Sequence, residues 1–509
     1  MARPRFASPP SHGSAVRGAE RSATENPAMS RLHLVATLLA AFVACTTVRS
    51  AGERPNFIFF LTDDISPDDL GPYGNEAVKT PNLNRMATRG LVFGNAYLTI
   101  SSCSPSRCSI ITGRYPHNTG APELHTPLPK DQKTFVQALR KAGYHTVISG
   151  KNHMAKPKPL GFAESSDSGP AGSEKWIGHL RKRPKDKPFF CWFASHDAHH
   201  PFQFTNDAPR YEPDESPVPP MLADGPETRQ EMANYYHEVS RTDHTLGLLY
   251  DELERQGIAD STYVVYCSDN GRPFPRCKTY LYDSGIKTPL LVTGPGVSKG
   301  RTGSLVSSID FAATFLDLAG VEKPATVQGV SFAPVLRDPS AFTRDVAFAE
   351  RNWHVYQLHE RAVRRGDFLY IWNAWPERHN VSGESAAYRF PAAKELWEWA
   401  EAGKLSEAQA LLTKVPQPAE MLFDVTADPH QFHDLAKDPA HAETLAGMRA
   451  LLDRWKSETA DSVPANPTPD RQGLHEGDDN KKIHRGVFPG ADLGAASVNH
   501  PGPVLVETR

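Results

Sequence analysis

Short apolar runs alternate with amphipathic stretches from residue 54 to about residue 320. The runs are rich in aromatic and β-branched residues, which is typical of buried strands. They predict strands at Asn56–Leu61, Thr146–Ser149, Phe189–Ala194 and Tyr263–Cys267. The stretches between them predict helices at Asn82–Arg89, Thr134–Ala142 and Arg229–Gln256. Because strands and helices alternate, we expect an α/β fold around a largely parallel sheet.

The pattern changes after residue 340 and predicts a smaller C-terminal subdomain. We expect strands at Val346–Ala349, Asp367–Trp372 and Met421–Val425, and helices at Ala392–Thr413 and Ala442–Glu458. The chain is therefore divided into an α/β domain at 52–340, a subdomain at 341–462 and a tail at 463–509. The tail is rich in Pro, Gly and Asp, which favours an extended or poorly ordered segment.

The N-terminus is predicted to be a leader and an export signal. Residues 1–28 lack apolar periodicity and indicate a disordered or non-native leader. In residues 29–51, Arg31 and His33 precede the apolar run Leu34–Cys45, and small residues follow, as in a secretory signal peptide. The run is too short to span a bilayer, so we expect an exported protein with no stable membrane span. A membrane anchor, a buried helix and lipid attachment at Cys45 are the alternatives.

Composition narrows the classes of partner. The formal net charge is −3, which offers no electrostatic attraction for nucleic acid or an anionic membrane. Five of the six cysteines follow the predicted signal, and an odd number leaves at least one thiol unpaired. Cys191 and Cys267 lie inside apolar runs and are predicted to be buried. The chain is therefore not a disulfide scaffold.

Polar side chains follow each of the four predicted strands. The segments are Thr62-Asp63-Asp64, Gly150-Lys151-Asn152-His153, Ser195-His196-Asp197 and Ser268-Asp269-Asn270-Gly271. Open α/β sheets bind their ligands at the carboxyl ends of the strands, so we expect these side chains to share one rim. Asp63, Asp64, Asp269 and Asn270 supply oxygen ligands, which suit a hard cation such as Ca²⁺. A phosphatase-like di-zinc site is the alternative, because His153, His196, His199 and His200 are near.

Cys103 lies in the Ser-rich segment Ser101–Arg107, which is predicted to open a helix because Pro105 suits an early helical position. A helix N-terminus favours anions, and Arg107 follows one turn later. On these grounds Cys103 is either a reactive thiol or a structural cysteine in a turn.

The segment from Cys103 to Arg107, followed by Thr112-Gly113-Arg114, resembles the signature of the sulfatase family. Ile111 stands where the family usually has leucine or methionine. The resemblance covers nearly the whole mature chain, from Arg54–Asp64 to Met421–Ala436. It implies an alkaline-phosphatase-like fold, with a large mixed sheet flanked by helices and a smaller C-terminal α+β subdomain. It also implies that Cys103 is oxidised to formylglycine by a formylglycine-generating or equivalent maturation enzyme.

The resemblance further implies a mechanism. Ca²⁺ would be held by Asp63, Asp64, Asp269, Asn270 and the group formed from Cys103. The formylglycine hydrate would attack sulfur and form a covalent sulfate ester. Arg107, Lys151 and Lys278 would stabilise the charge that develops on oxygen. His196 is the candidate acid for the leaving group and His153 the candidate base for sulfate release, and these two roles are exchangeable.

The substrate implied is a sulfated glycan. Ser101–Arg107, Asp269–Pro275, Leu281-Tyr282 and Trp455–Thr459 resemble the heparan N-sulfatase branch, which predicts cleavage of the N-sulfate of glucosamine. Lys278 departs from that branch, which has arginine there, although many sulfatases have lysine. Lys151, His196, Lys278 and His354 are the candidate substrate-binding residues. Trp353, Arg361, Arg364 and Arg365 either line a substrate pocket from the C-terminal subdomain or have structural roles.

Three other functions remain open from the sequence. The first is an O-sulfatase acting on another glycan or an aryl ester. The second is a phosphonate or phosphate monoester hydrolase, because related folds share the oxygen-rich site. The third is a sulfated-glycan binding protein in which Cys103 is never converted.

Overall fold

The computed structural model describes residues 54–386, 388–473, 489–491 and 493–505. The described residues belong to one compact unit. The predicted leader and export signal lie outside the described residues. Within the described ranges, no helix combines the length and apolarity needed to cross a bilayer.

An eight-stranded sheet forms the centre of the fold. Its strands are β1 Asn56–Thr62, β2 Leu91–Tyr97, β3 His145–Gly150, β4 Glu164–Ser166, β5 Phe189–Ala194, β6 Thr262–Ser268, β7 Leu290–Thr293 and β8 Gly300–Ser307. Their order is β4-β3-β5-β1-β6-β7-β2-β8. Only β7 runs antiparallel to its neighbours, and the other pairs are parallel. The prediction of a large mixed, mostly parallel sheet is confirmed.

Helices cover both faces of this sheet. They are α1 Pro81–Arg89, α2 Cys103–Thr112, α3 Pro116–Thr119, α4 Phe135–Lys141, α5 Trp176–Lys182, α6 Pro226–Arg255, α7 Asp283–Ile286, α8 Asp310–Leu318 and α9 Ala333–Arg337. Successive strand residues point to opposite faces, so β1 contributes to two cores. Phe57, Phe59 and Leu61 belong to one hydrophobic cluster. Ile58 and Phe60 belong to the other. A strand buried on both faces explains the continuous apolar run in its sequence.

The C-terminal subdomain contains a second, antiparallel sheet in the order β12-β11-β10-β9. Its strands are β9 Val346–Arg351, β10 Glu360–Arg365, β11 Phe368–Asn373 and β12 Glu420–Asp424, and its helices are α10 Pro391–Glu401, α11 Glu407–Ala410 and α12 Ala442–Thr459. The sequence did not predict β10, because four of its six residues are charged. These charges are tolerated because buried ion pairs satisfy them, such as Arg351 with Glu360 at 3.0 Å.

The single helix predicted at Ala392–Thr413 is wrong. The chain forms α10 and the one-turn α11 instead. Gly403 between them has φ +64°, a left-handed conformation that ends a helix and that glycine adopts without steric cost.

Described parts of the predicted tail pack against the core. Trp353 Nε1 donates a hydrogen bond to Pro469 O at 2.9 Å. Arg114, which follows the signature helix α2, donates to the carbonyls of Ala496 and Val498 at 3.0 and 2.8 Å. The C-terminal segment therefore contacts the region that carries the signature.

Candidate active site

Four neighbouring strands deliver the candidate residues to one rim. In the order β3-β5-β1-β6, Gly150 is paired with Ala194, Ala194 with Leu61, and Thr62 with Ser268. The residues that follow these strand ends are therefore adjacent in space, as the sequence predicts. Asp63 N donates to Asp197 O at 2.9 Å, Asp269 N to Thr62 O at 3.1 Å, and Lys151 N to Ala194 O at 2.9 Å.

The centre of the rim is a buried set of opposite charges, which we call the rim cluster. It consists of Asp63, Asp64, Arg107, Lys151, Asp269, Asn270 and Lys278. Lys278 Nζ donates to Asp64 Oδ2 at 2.7 Å, and Arg107 Nε donates to Asp269 Oδ2 at 2.6 Å. Lys151 Nζ donates to Asp63, and Asn270 Nδ2 donates to Asp64. Three buried cations thus converge on three buried carboxylates, which would be costly without a function or complete pairing.

Cys103 is the first residue of α2 and lies against this cluster. Ser102 precedes it with an extended backbone, and Gly113 ends the helix at φ +66°. The thiol Sγ donates to Asp63 Oδ1 at 3.7 Å. Burial raises the pKa of Cys103 to about 12, with Asp63 and Asp269 adding to the effect of burial and Lys151 and Lys278 opposing it. At neutral pH the thiol is therefore protonated and is a poor nucleophile.

The oxygen ligands of the rim cluster fit a hard metal ion. Ligand atoms of Asp63, Cys103 and Asp269 lie within 4.8 Å of one another. Asp269 Oδ1 and Asn270 Oδ1 are buried and have no hydrogen-bond partner among the described residues. Burial raises the pKa of Asp269 to about 6, although Arg107 opposes this shift. A cation bound here would satisfy both orphaned oxygens, and the donor set favours Ca²⁺ over zinc.

Two hydrogen-bonded pairs of side chains, each with at least one histidine, lie on the walls above the rim cluster. His153 Nε2 is 2.6 Å from His125 Nδ1. Burial lowers the pKa of His153, and the nearby Lys151, His125 and Arg107 lower it further, so His153 is neutral at physiological pH. His196 Nε2 donates to Asp167 Oδ1 at 2.8 Å. The first pair therefore offers a proton acceptor, and the second offers an imidazole held by a carboxylate.

His354 approaches from the C-terminal subdomain. Its Nδ1 lies 2.7 Å from Ser102 Oγ, directly before Cys103. Burial lowers the pKa of His354 to about 4, although Glu384 opposes this shift. Glu384 Oε1 is also 3.7 Å from Lys278 Nζ. The subdomain thus contributes two buried groups to the edge of the rim cluster.

A cleft of about 670 Å³ opens beside the rim cluster, which contributes Asp63 and Lys151 to its lining. It is lined by Asp63, His125, Lys151, Asn152, His153, Asp167, Gly169, Pro170, His196, Asp197, His199, His200, Pro201, Gln203 and Glu238. Its size suits a mono- or disaccharide rather than a macromolecule.

The structure places three arginines that were candidates for lining a substrate pocket away from the site. Arg361 pairs with Asp461 at 2.7 Å, Arg364 Nε donates to Tyr97 at 3.0 Å, and Arg365 lies 3.9 Å from Asp345. These arginines hold the second sheet in place. His199 and His200, which the sequence offered only as ligands of the alternative di-zinc site, line the cleft.

His125, Asp167 and Glu384 are residues that the sequence did not point to. Each lies in an irregular segment without hydrophobic periodicity, so no pattern marks them. The backbone does mark the site, because Asp64, His125, His153 and Thr279 all have positive φ between 54° and 75°. Strained backbone of this kind persists where the surroundings hold it, often at functional sites.

Comparisons with known proteins agree with this geometry. The family profile described as "Sulfatase" matches residues 55–164 and 171–321, and the profile "N-sulphoglucosamine sulphohydrolase, C-terminal" matches residues 276–371. The chain is 28% identical to an ulvan-active sulfatase of Formosa agariphila, over 81% of this chain and 76% of that protein. It is 29% identical to human N-sulphoglucosamine sulphohydrolase, over 80% of this chain and 91% of that protein.

The fold also matches solved structures. One, a protein in complex with its substrate D-glucosamine-2-N,6-O-disulfate, superposes with a TM-score of 0.64 at 21% identity, covering 83% of this chain and 100% of the other. The alkaline-phosphatase-like fold with a C-terminal subdomain is thereby confirmed. Since the family profile covers about half of the chain, and the rim cluster lies within it, this protein belongs to the sulfatase family.

Proposed function

We propose that this protein hydrolyses a sulfate group from a sulfated glycan, with the N-sulfate of glucosamine as the first substrate. The observation that carries the proposal is the position of Cys103. It begins a helix inside a buried cluster in which three cations and four oxygen-bearing side chains converge.

The cations account for sulfate binding. Arg107, Lys151 and Lys278 lie at most 13% exposed in their side chains and are fixed by carboxylates. Placed around the sulfur, they would stabilise negative charge on the sulfate oxygens with no reorganisation cost at the moment of reaction. Arg107 Nη2 is buried without a hydrogen-bond partner among the described residues, so it has a free donor for such an oxygen.

Two groups absent from the chain as translated complete the site. Asp63, Asp64, Asp269 and Asn270 would hold Ca²⁺, which supplies Lewis acidity worth several kcal/mol toward sulfate oxygens. Formylglycine made from Cys103 supplies a hydrated aldehyde in place of a thiol that is protonated at neutral pH. A maturation enzyme is therefore a required partner, and export stays a proposal that rests on residues 29–51.

The histidines would move the protons. His196 lies at the cleft surface, 36% exposed, and would donate a proton to the leaving amine or alcohol. His153 is neutral and next to Lys151, and it would accept a proton from the hydroxyl that remains at position 103. His354 would hold Ser102 and orient the start of α2.

The choice of the N-sulfate rests on the C-terminal profile match at residues 276–371, which includes Lys278. A second candidate is an O-sulfate ester. It is favoured by 27% identity to an N-acetylglucosamine-6-O-sulfatase of Bacteroides thetaiotaomicron, and by Lys278, since lysine offers a point charge where the N-sulfatase branch has the planar fork of arginine.

A substrate panel on formylglycine-containing protein tests the proposal. We expect sulfate release from N-sulfated glucosamine, and mass spectrometry of the peptide that contains position 103 should show the aldehyde. Release from 6-O-sulfated glucosamine alone would replace the first candidate by the second. Failure of converted, calcium-loaded protein to release sulfate from any sulfated saccharide would contradict the proposal as a whole.

A further inference from the structure

The segment that follows β4 wraps around His196. The backbone N of His196 donates to Ala171 O at 2.9 Å, and its Nε2 donates to Asp167 Oδ1 at 2.8 Å. A Cβ at Gly172 would lie 2.5 Å from Cδ2 of the imidazole, so only glycine allows the backbone to approach this closely. The segment thus fixes a carboxylate beside the candidate leaving-group acid.

The charge of the residues that line the cleft changes along its depth, from the cation Lys151 at the inner end to the carboxylate of Asp167 at the outer wall. At the inner end the ammonium of Lys151 is 13% exposed and sits among buried carboxylates and Arg107. At the outer wall the side chain of Asp167 is 55% exposed and that of His196 is 36% exposed. Both ends line the same cleft. A ligand that places one anion on Lys151 can therefore extend its other substituents past the carboxylate of Asp167.

We propose that Asp167 is a specificity-determining residue that selects sugars with a single sulfate. Its carboxylate would accept a hydrogen bond from a hydroxyl or amino group next to the cleaved position, and would repel a second sulfate placed there. The substrate class is a terminal sugar that carries the cleaved sulfate and hydrogen-bond donors on the neighbouring carbons. This inference rests on the proposed function, because it assumes that the sulfate binds at the rim cluster.

The expected size of this discrimination follows from Coulomb's law. Two unit charges about 5 Å apart at a protein surface interact by roughly 1–3 kcal/mol, which corresponds to about 5- to 100-fold in a binding or rate constant. Because Asp167 is exposed, the effect lies toward the lower end and weakens as salt is added.

The test compares two substrates that share the cleaved group. Glucosamine N-sulfate is measured against its N,3-O- and N,6-O-disulfated counterparts, in the wild type and in Asp167→Asn and Asp167→Lys. The readout is the ratio of kcat/KM for each disulfated sugar to that for the monosulfated sugar. This ratio cancels the effects that change both kcat/KM values equally. They are a loss of activity through His196, incomplete formylglycine conversion and loss of folded protein. If the cleaved group is an O-sulfate, the same ratio is taken for that ester with and without a second sulfate.

We expect the ratio to rise about fivefold in Asp167→Asn for at least one disulfated sugar, to rise further in Asp167→Lys, and to shrink at high salt. Asp260→Asn is the matched control, because it removes the same charge at an exposed residue before the other end of β6, and it should leave the ratio unchanged. Unchanged ratios in both Asp167 variants, or an equal change in Asp260→Asn, would overturn the inference. No turnover of any sulfated sugar by the wild type would instead reject the proposed function.

Discussion

Two buried clusters in this protein contain similar residues and behave differently. The rim cluster has been described. The second, which we call the tail-side cluster, consists of His117, Glu350, Arg361 and Asp461. Both are buried, both mix acids with bases, and both contain an arginine that pairs with an aspartate.

The tail-side cluster is internally satisfied. His117 Nδ1 lies 2.6 Å from Glu350 Oε1, and its Nε2 lies 3.2 Å from Thr459 O. Arg361 makes two bonds to Asp461, at 2.8 and 2.7 Å. In the rim cluster, by contrast, Arg107 Nη2, Asp269 Oδ1 and Asn270 Oδ1 are buried without partners among the described residues.

The contrast shows which feature separates these two clusters. Residue type and burial do not, since both clusters have them. Unsatisfied buried donors and acceptors do, because each costs about 1–3 kcal/mol unless something outside the chain meets it. The rim cluster has unsatisfied donors as well as unsatisfied acceptors, which a site for both an anion and a cation requires.

The largest effect is expected for Cys103→Ala. Sulfate release should fall by at least about 10⁴-fold, because the formylglycine precursor is removed, while the fold is kept. Cys108→Ala is the matched control, since Cys108 is a buried thiol on the same helix. It should keep kcat near the wild-type value and lose only stability, by about 1 kcal/mol. Full activity in Cys103→Ala would require another nucleophile.

The next largest effect separates stability from activity. Asp461→Asn leaves Arg361 without its bidentate partner and should lower the free energy of unfolding by about 3 kcal/mol, with kcat unchanged per folded molecule. Asp64→Asn should instead keep the free energy of unfolding measured in calcium-free buffer, because Lys278 still has Glu384 at 3.7 Å. It should lower kcat, because a proposed metal ligand is lost. Denaturant unfolding and initial rates measure both. If the two variants behaved alike, the distinction between the clusters would be lost.

Calcium should stabilise through the rim cluster alone. At about one hundred times its Kd, an ion that binds only the folded state raises the free energy of unfolding by about 2.7 kcal/mol. Thermal unfolding with and without Ca²⁺ should show this gain in the wild type and in Glu350→Gln, but not in Asp269→Asn. A gain that persisted in Asp269→Asn would place the ion elsewhere.

The smallest effect is a pH dependence of the tail-side cluster. Burial opposes the charged form of His117, but Glu350 and Asp461 outweigh burial and raise its pKa. The protonated imidazole therefore stabilises the fold below the unfolded-state pKa of about 6.5, and this contribution is lost as pH rises through the raised folded-state pKa. Compared with His117→Gln, the wild type should lose stability between pH 6 and pH 9.

Urea unfolding at each pH measures this difference. His433→Gln is the control, because the side chain of His433 is 83% exposed and should not alter the pH slope. Parallel slopes for wild type and His117→Gln would mean that His117 contributes no proton-linked stability.

The sequence predicted the rim because simple rules act there. Four apolar strands such as Phe189–Ala194 are buried on both faces, and polar residues at their carboxyl ends must meet. It did not predict β10, because the charged residues of Glu360–Arg365 can be buried only when ion pairs neutralise them. It did not predict the helix break at Gly403 either. It did not predict Asp167 or His125 either, because irregular segments carry no periodicity and their positions depend on tertiary contacts. Arg361 looked no different from a ligand-binding arginine, because its ion pair with Asp461 is a tertiary contact that the sequence pattern does not show.

The contacts of Arg114 with Ala496 and Val498 have a consequence for the order of events during synthesis. The end of the segment that carries Cys103 is held by residues made nearly four hundred positions later. At about 5–20 residues per second, these residues follow Cys103 by roughly 20–80 s. In the finished molecule Cys103 is 2% exposed. Until these residues are made, Arg114 lacks its hydrogen bonds to Ala496 and Val498, so the order of synthesis would give the proposed modification of Cys103 a time window before the fold is complete.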